Sequence, residues 1–312
     1  MPQIAISTRI MSNTQFPAPS VWLLARYTPR MSTDFTPLAL DHLGLFVPNG
    51  DAARQALADL GFTITPASAQ TMTDPDTGQT LPAGTANFCV MFQQGYLEVL
   101  FATADDTEAG RTVAAEAAQR AGLHLLSFAT SDARAFDTAK RHAGLPMRPI
   151  SAFARAVEHD DSPITAAFTL ARPAKGHFPE GRVQTMTHHT PEALWQPRWM
   201  HHANGAHSLD ALLIAAPDPQ TTAASLAAYT GSTAELRPAA TDLNSNSPIW
   251  CVPLARGWIE VLPQGIARAL MAPIPLPPMP HFCGLRIGAA TSHRHPFPAA
   301  LGLGVILFSA RS

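Results

Sequence analysis

The sequence predicts an α+β fold built from repeated units, each containing a strand, a helix and then further strands. Two repeated patterns indicate this fold. Residues 40–48 read LDHLGLFVP and residues 209–217 read LDALLIAAP, so each copy begins with Leu-Asp and ends in proline. Later in each copy a strand follows a glycine, as GYLEVL from residue 95 and GWIEVL from residue 257.

The helices of these two copies are each predicted between a capping residue and a terminating glycine. They cover residues 52–60, between Asp51 and Gly61, and residues 222–229, between Asp218 or Thr221 and Gly231.

Two further segments match the start of the unit. The segment from Leu123 continues into a helix over residues 133–142 and then into strands over residues 165–171 and 183–188. The segment from Phe282 begins too close to the C-terminus to be a complete unit. The chain therefore contains four units, the last of them truncated.

The length of 312 residues and the repeats predict three regions. Residues 1–36, which have no acidic residue before Asp34, are predicted to be a disordered leader or the result of a translation start placed too early. Residues 37–190 form a first domain of two units. Residues 191–312 form a second, partly truncated domain.

The composition excludes several classes of protein. The 21 basic residues balance 23 acidic ones, which gives no electrostatic footprint for nucleic acid. Every apolar run is shorter than the 18 or so residues of a membrane span. The three cysteines lack CxxC spacing, so neither a disulfide framework nor a thiolate zinc site is indicated. We expect a cytoplasmic protein.

Alternation along the predicted strands indicates where the candidate side chains point. His42 and Glu98 each lie on the face opposite to the aliphatic residues of their own strands. Both therefore point to the concave side if the sheet curls. His124 is assigned the same register as His42, and His188 shares a face with Gln184. These four histidine and glutamate positions form the candidate site.

At these residues the chain resembles the vicinal oxygen chelate superfamily, and in particular its glyoxalase-like domains. The resemblance covers about residues 38–265 and is carried by residues 40–62, 95–100 and 188–206. It implies paired βαβββ modules that form curved mixed sheets, as in glyoxalase and dihydroxybiphenyl dioxygenase. In that superfamily the first and fourth strands of the modules supply the ligands of a divalent metal.

The resemblance implies His42, Glu98, His124 and His188 as the metal ligands. The chain departs from the commoner pattern, because histidine stands at or near the place of the second module's carboxylate. Imidazole together with carboxylate suits Fe, Mn, Zn or Ni. Glu98 is also the candidate base for proton transfer, and His188 is either a fourth ligand or a general base.

Plainer explanations stand beside these roles. A histidine at a strand start, such as His42, is usually a structural residue, and the alternative for Glu98 is an outward-facing strand carboxylate. In the third unit Ala211 replaces the histidine. That unit is therefore predicted to hold no metal of its own, and Glu260 to be a structural or substrate-contact residue.

Two aromatic residues near the end of the second unit are candidate substrate contacts. Six of the 13 histidines cluster between His177 and His207, and His202 is the one we assign to the edge of a pocket. Trp195 is assigned to its lining. The alternatives are a solvated polar connection for the histidines and ordinary core packing for the tryptophan.

The sequence thus predicts a divalent-metal-dependent enzyme that acts on a small oxygen-bearing organic molecule, as a lyase, an isomerase or a ring-cleaving dioxygenase. A non-catalytic small-molecule binding protein on the same scaffold is the main alternative, and a protein-interaction scaffold is a weaker one. A homodimer is compatible with this interpretation. It includes neither a nucleic-acid partner nor a membrane partner.

Overall fold

Two mixed β-sheets, each built from two of the predicted units, make up the structure. The computed structural model describes residues 38–73, 79–159, 162–243, 245 and 247–310. The predicted leader, residues 1–36, lies outside the described residues. The first sheet takes its strands from residues 39–188 and the second from residues 208–310. Because apolar residues of both sheets share one core, the predicted domain boundary at residue 190 stays a prediction.

The first sheet has eight strands in the order β2-β3-β4-β1-β5-β8-β7-β6. Its first unit consists of β1 (Ala39–Phe46), α1 (Gly50–Asp59), β2 (Ser68–Thr73), β3 (Thr80–Met91) and β4 (Tyr96–Ala102). A connecting helix, α2 (Glu108–Gln119), leads to the second unit. That unit consists of β5 (Gly122–Ala129), α3 (Ala133–His142), β6 (Ser151–Val157), β7 (Ile164–Ala171) and β8 (Arg182–His188).

The second sheet has seven strands in the order β10-β11-β12-β9-β13-β15-β14. Its first half contains β9 (Ser208–Ala216), α4 (Pro219–Thr230), β10 (Glu235–Arg237), β11 (Ile249–Pro253), β12 (Trp258–Pro263) and the connecting helix α5 (Gln264–Met271). The second half contains β13 (His281–Ala289), β14 (His293–Pro296) and β15 (Val305–Ala310). None of the helices in the described part of the chain is long and apolar enough to cross a membrane.

The predicted α+β fold of paired modules with curved mixed sheets is confirmed. In both sheets the first strands of the two units pair antiparallel at the centre, and each pairs parallel with the last strand of its own unit. The first sheet curls until its edge strands β2 and β6 meet. Arg155 on β6 also donates to Oδ1 of Asn87 on β3 at 2.8 Å.

Helix boundaries follow the capping side chains. α3 begins after Asp132, as predicted, and α4 begins after Asp218. The prediction for α1 was wrong, because Asn49 and not Asp51 caps this helix by accepting from the N–H of Ala52 at 3.0 Å. An acidic residue inside the first turn supports a helix through its dipole, which explains why Asp51 gave a similar signal.

The repeated Leu-Asp pair marks a β-bulge. The register between β1 and β5 shifts so that Asp41 is an extra residue with no partner on the opposite strand, and Asp210 is the equivalent residue in β9. A bulge of this kind turns the extra side chain away from strict alternation. Asp41 is thereby able to contact residues on the same side of the sheet as His42.

Two glycine turns hold the bulges and join the two sheets. Gly95 has a φ of +75°, and a Cβ there would lie 2.9 Å from the carbonyl oxygen of Asp41. Gly257 repeats this arrangement against Asp210, at φ +77° and 2.7 Å. Each turn also binds the other sheet, because Leu40 donates to Arg256 O and Leu209 donates to Gln94 O, both at 2.8 Å.

We predict that Gly95→Ala destabilises the fold through both its positive φ and its contact with Asp41. The matched control is Gly176→Ala, which has φ +78° but nothing within 4 Å of the added Cβ. We expect the control to cost about 1 kcal/mol for the left-handed backbone. Gly95→Ala should cost about 1 to 3 kcal/mol more because of overpacking. Urea unfolding measures both, and equal losses would contradict the prediction.

Candidate active site

Polar residues line the concave face of the first sheet, the side that carries His42. The cross-strand register places Ser127 opposite His42, and Gln184 beside Ser127. Glu98 lies one step away on β4, beside Gly44. Directly opposed residues in adjacent strands share a face, so these side chains all point to the concave side.

Two apolar clusters flank this polar row. One packs under α2 and contains Phe46, Leu100, Val113, Ala117 and Leu125. The other contains residues of β3, β7 and β8 covered by Leu194, which belongs to the connection after β8. The polar side chains are therefore shielded at both ends of the concave face.

The buried carboxylate of Asp41 joins two histidines. Its oxygens lie 2.7 Å from Nδ1 of His42 and 3.0 Å from Nε2 of His188, and its side chain is 1% exposed. Burial alone would raise the pKa of Asp41, but the hydrogen bonds from His188 and His42 hold it well below its usual value. A carboxylate only accepts, so each histidine donates an N–H to Asp41.

This hydrogen bonding leaves Nε2 of His42 directed at Glu98. Nε2 of His42 and Oε2 of Glu98 are 3.8 Å apart. The imidazole is stacked on Tyr96 at 4.4 Å between ring centroids. The other oxygen of Glu98 accepts from the amide of Asn87, which in turn accepts from Arg155. Both groups are thus held by outer partners before any ligand binds.

His188 is enclosed by aromatic rings. Its ring lies edge to face with Phe168 at 5.3 Å and with Trp195 at 5.0 Å. Nδ1 of His188 is buried and has no hydrogen-bond partner in the described part of the chain. The structure therefore brings His188 and Trp195 to the cluster around Asp41, with His188 bound to the aspartate and not to Glu98.

His124 lies apart from the other candidate ligands. A register shift makes it the extra residue of a bulge in β5, which is the counterpart of Asp41 and not of His42. It is three residues from Ser127, roughly 10 Å along the strand. Its Nε2 contacts Arg120 O at 2.5 Å, and its ring stacks on Phe46. Burial lowers the pKa of His124.

His202 has no ring nitrogen left for a substrate. Its Nδ1 accepts from the N–H of Thr63 at 3.0 Å, and its Nε2 contacts Met91 O at 2.9 Å. The ring also lies edge to face with Phe62 and Phe92. His202 therefore links the connection after β8 to the first unit through both ring nitrogens, and its assignment to the edge of a pocket stays a prediction.

The four predicted ligands do not form one cluster. No three His, Cys, Asp or Glu side chains within residues 38–73, 79–159, 162–243, 245 and 247–310 are arranged to hold a metal ion. The pair of His42 Nε2 and Glu98 Oε2 does fit a cation, because 3.8 Å is within the roughly 4.2 Å that two bonds of about 2.1 Å can span. Ser127 and Gln184 are the neutral polar groups that the second unit adds nearby.

The second sheet carries an ion pair at the equivalent position. Arg286 lies opposite Ala211, as Ser127 lies opposite His42, and Glu260 corresponds to Glu98. The guanidinium contacts Oε2 of Glu260 at 3.1 Å and also pairs with Asp242. The absence of a metal site in this unit stays a prediction. Its physical reason is that Arg286 already neutralises the carboxylate of Glu260.

Sequence reasoning missed Asp41, Asn87 and Arg155. Asp41 was hidden because alternation assigns it to the opposite face, and only the bulge turns it inward. Its recurrence as Leu-Asp in both copies was the available signal. Arg155 reaches Asn87 only because the sheet curls, which no local pattern shows.

A family model described as a glyoxalase-like domain matches residues 40–230 of this chain. No curated protein matches the chain. A solved structure titled as a hypothetical protein from Staphylococcus aureus is similar with a TM-score of 0.63 and 10% identity, over 88% of this chain and 100% of that chain. This likeness shows the fold alone.

Two structures from Streptomyces coelicolor are less similar. A mutant of 4-hydroxymandelate synthase has a TM-score of 0.45 and 14% identity, over 81% of this chain and 71% of that chain. A variant of methylmalonyl-CoA epimerase has a TM-score of 0.32 and 18% identity, over 49% of this chain and 98% of that chain.

We predict that Asp41→Asn destabilises the protein by roughly 3 kcal/mol near pH 7, because it removes a buried, paired charge. The lowered pKa of Asp41 means that its stabilisation is complete above the unfolded value of about 4 and is lost as pH falls below it. The difference in free energy of unfolding between wild type and variant should therefore shrink below about pH 4. A pH-independent difference, or the same behaviour in the exposed control Asp105→Asn, would contradict this.

The second sheet suggests a rescue experiment. His42→Ala removes the imidazole next to Glu98. Adding Ser127→Arg to this variant gives the first sheet the same pair of residues that the second sheet has in Ala211 and Arg286. We expect the free energy of unfolding of the double variant, measured in urea, to exceed that of His42→Ala by about 1 kcal/mol or more, because the new arginine forms an ion pair with Glu98. Ser127→Met in the same background controls for volume. Equal recovery by methionine would rule out the ion pair.

Proposed function

This chain belongs to the glyoxalase-like domain family, whose model matches residues 40–230, and we propose that it is a divalent-metal-dependent enzyme acting on a small oxygen-bearing organic molecule. The family match confirms the predicted resemblance to glyoxalase-like domains. His42 and Glu98 are the protein ligands in this proposal, from the first and fourth strands of one unit.

The approach of His42 Nε2 to Glu98 Oε2 carries the proposal. The two atoms face each other at 3.8 Å on a shielded concave face. Asp41 orients the imidazole through Nδ1, and Asn87 holds the carboxylate. A carboxylate behind a histidine is the usual arrangement for a metal ligand, because it fixes the tautomer and raises the basicity of the free nitrogen.

A bound divalent cation supplies Lewis acidity that stabilises negative charge developing on a substrate oxygen. The residues of the chain supply the proton chemistry. Glu98 has an oxygen free of the Asn87 amide and can accept a proton from the substrate and return it to a neighbouring atom. Asp41 keeps the proton of His42 on Nδ1, and the surrounding apolar clusters limit the access of water.

This donor set favours a lyase or an isomerase over a ring-cleaving dioxygenase. Two histidines and one carboxylate on one metal is the arrangement suited to iron and oxygen chemistry. Nε2 of His188 is engaged with Asp41, and His124 lies at the other side of the row. One histidine with a carboxylate that can leave the metal suits proton transfer.

We predict that protein purified without added metal contains about one Fe, Mn, Zn or Ni ion per chain by elemental analysis. His42→Ala and Glu98→Gln should both lose this metal. Asp41→Asn should weaken metal affinity by about 10- to 100-fold, because it acts through His42.

His124→Ala is the matched control, since the structure places this imidazole on Arg120 O, and it should keep the metal. Loss of metal in His124→Ala together with retention in His42→Ala would overturn the assignment. A wild type that is metal-free and takes up none of the four metals would favour the non-catalytic binding protein instead.

A further inference from the structure

A basic region continues the polar row of the concave face. Leu170 on β7 lies opposite Met186 on β8, and continuing this register places Arg172 beside Gln184. The Arg172 side chain contacts Ser151 and Phe153 of β6. Those residues are opposed to Leu170 and Phe168, which belong to the concave apolar cluster. Arg172 therefore lies on the same face as His42.

Arg172 has no acidic partner among the residues that the structure describes. Its Nη2 donates to Ser151 Oγ at 2.5 Å, its guanidinium lies 5.9 Å from the centre of the Phe153 ring, and its Nε is buried without a hydrogen-bond partner. Arg182 differs, because it pairs with Glu116 at 2.7 Å. The guanidinium of Arg172 is held in place, but no acidic side chain within the described ranges compensates its charge.

Burial and two nearby arginines make the charge of Arg172 unfavourable in the absence of a bound anion. Burial and then the neighbouring charges of Arg148 and Arg182 lower its pKa to about 10, so the group remains charged at neutral pH. A half-buried cation that faces other cations is costly unless an anion binds there. The planar fork of a guanidinium suits a carboxylate or a phosphate.

The distance between Arg172 and His42 can be spanned by one small molecule. Arg172 and His42 are separated by β8 and β5, which makes three strand spacings or roughly 14 Å along the sheet, and less across its concave side. Gln184 and Ser127 lie between them and offer neutral hydrogen-bonding groups. A ligand can therefore place one end at His42 and Glu98 and its other end at Arg172.

We infer that the substrate carries an oxyanion group, a carboxylate or a phosphate, which Arg172 binds at the end remote from the reacting oxygen atoms. The inference rests on the proposed function for the position of the reacting end. The contact with Arg172 needs no metal, so it can be tested separately.

Calorimetric titration of chelator-treated protein with malonate, inorganic phosphate and neutral malonamide tests the inference at constant ionic strength. We expect malonate or phosphate to bind the wild type, and Arg172→Gln to weaken that binding about tenfold or more. Preference for one of the two anions identifies the group as carboxylate or phosphate. Malonamide should not bind.

Arg148→Gln is the matched control, because this arginine is exposed and adds positive charge nearby; it should change affinity less than about threefold. Equal binding in Arg172→Gln, equal binding of malonamide, or no anion binding to the wild type up to about 50 mM overturns the inference. His42→Ala should still bind the anion, so loss of the metal site and loss of the anion site are distinguishable.

Discussion

The buried carboxylate of Asp41 is the constraint on which the site depends. It accepts from one imidazole on β1 and another on β8, and so connects the two units of the first sheet. A buried charge is tolerated only when its partners stay in place. Movement of either His42 or His188 would expose the carboxylate to an unfavourable environment. The direction of His42 Nε2 toward Glu98 therefore follows from the stability of the fold itself.

Much of the fold and part of the site could be predicted from sequence. Alternation placed His42 and Glu98 on one face, and the bounds of α3 follow directly from its cap and its glycine. Alternation failed at Asp41, and it gave His124 the register of His42, because both are bulge residues. A bulge adds one residue and so interrupts the alternation and shifts the register, and its position depends on the partner strand. Local patterns contain no information about that partner.

The two sheets share a strand register but differ in the charged side chains that this register brings together. His42 lies beside Glu98 in the first sheet, and Arg286, at the position equivalent to Ser127, lies beside Glu260 in the second. An arginine satisfies the carboxylate internally and leaves it no capacity for a ligand. Glu260 and Arg286 come from different units, one of them lacking a helix between its first two strands. The sequence repeat alone therefore could not distinguish a reactive acid from a neutralised one.

The second sheet supports the first through main-chain hydrogen bonds. Leu40 donates to Arg256 O, and Leu209 donates to Gln94 O in return. The second sheet has Ala211 where the first has His42, so its concave side chains are not constrained by a site of that kind. Its glycine turn is not free to drift, since the opposite strand uses that turn as a hydrogen-bond acceptor. Substitutions among the concave side chains of one half can therefore leave intact the main-chain hydrogen bonds that this half provides to the other.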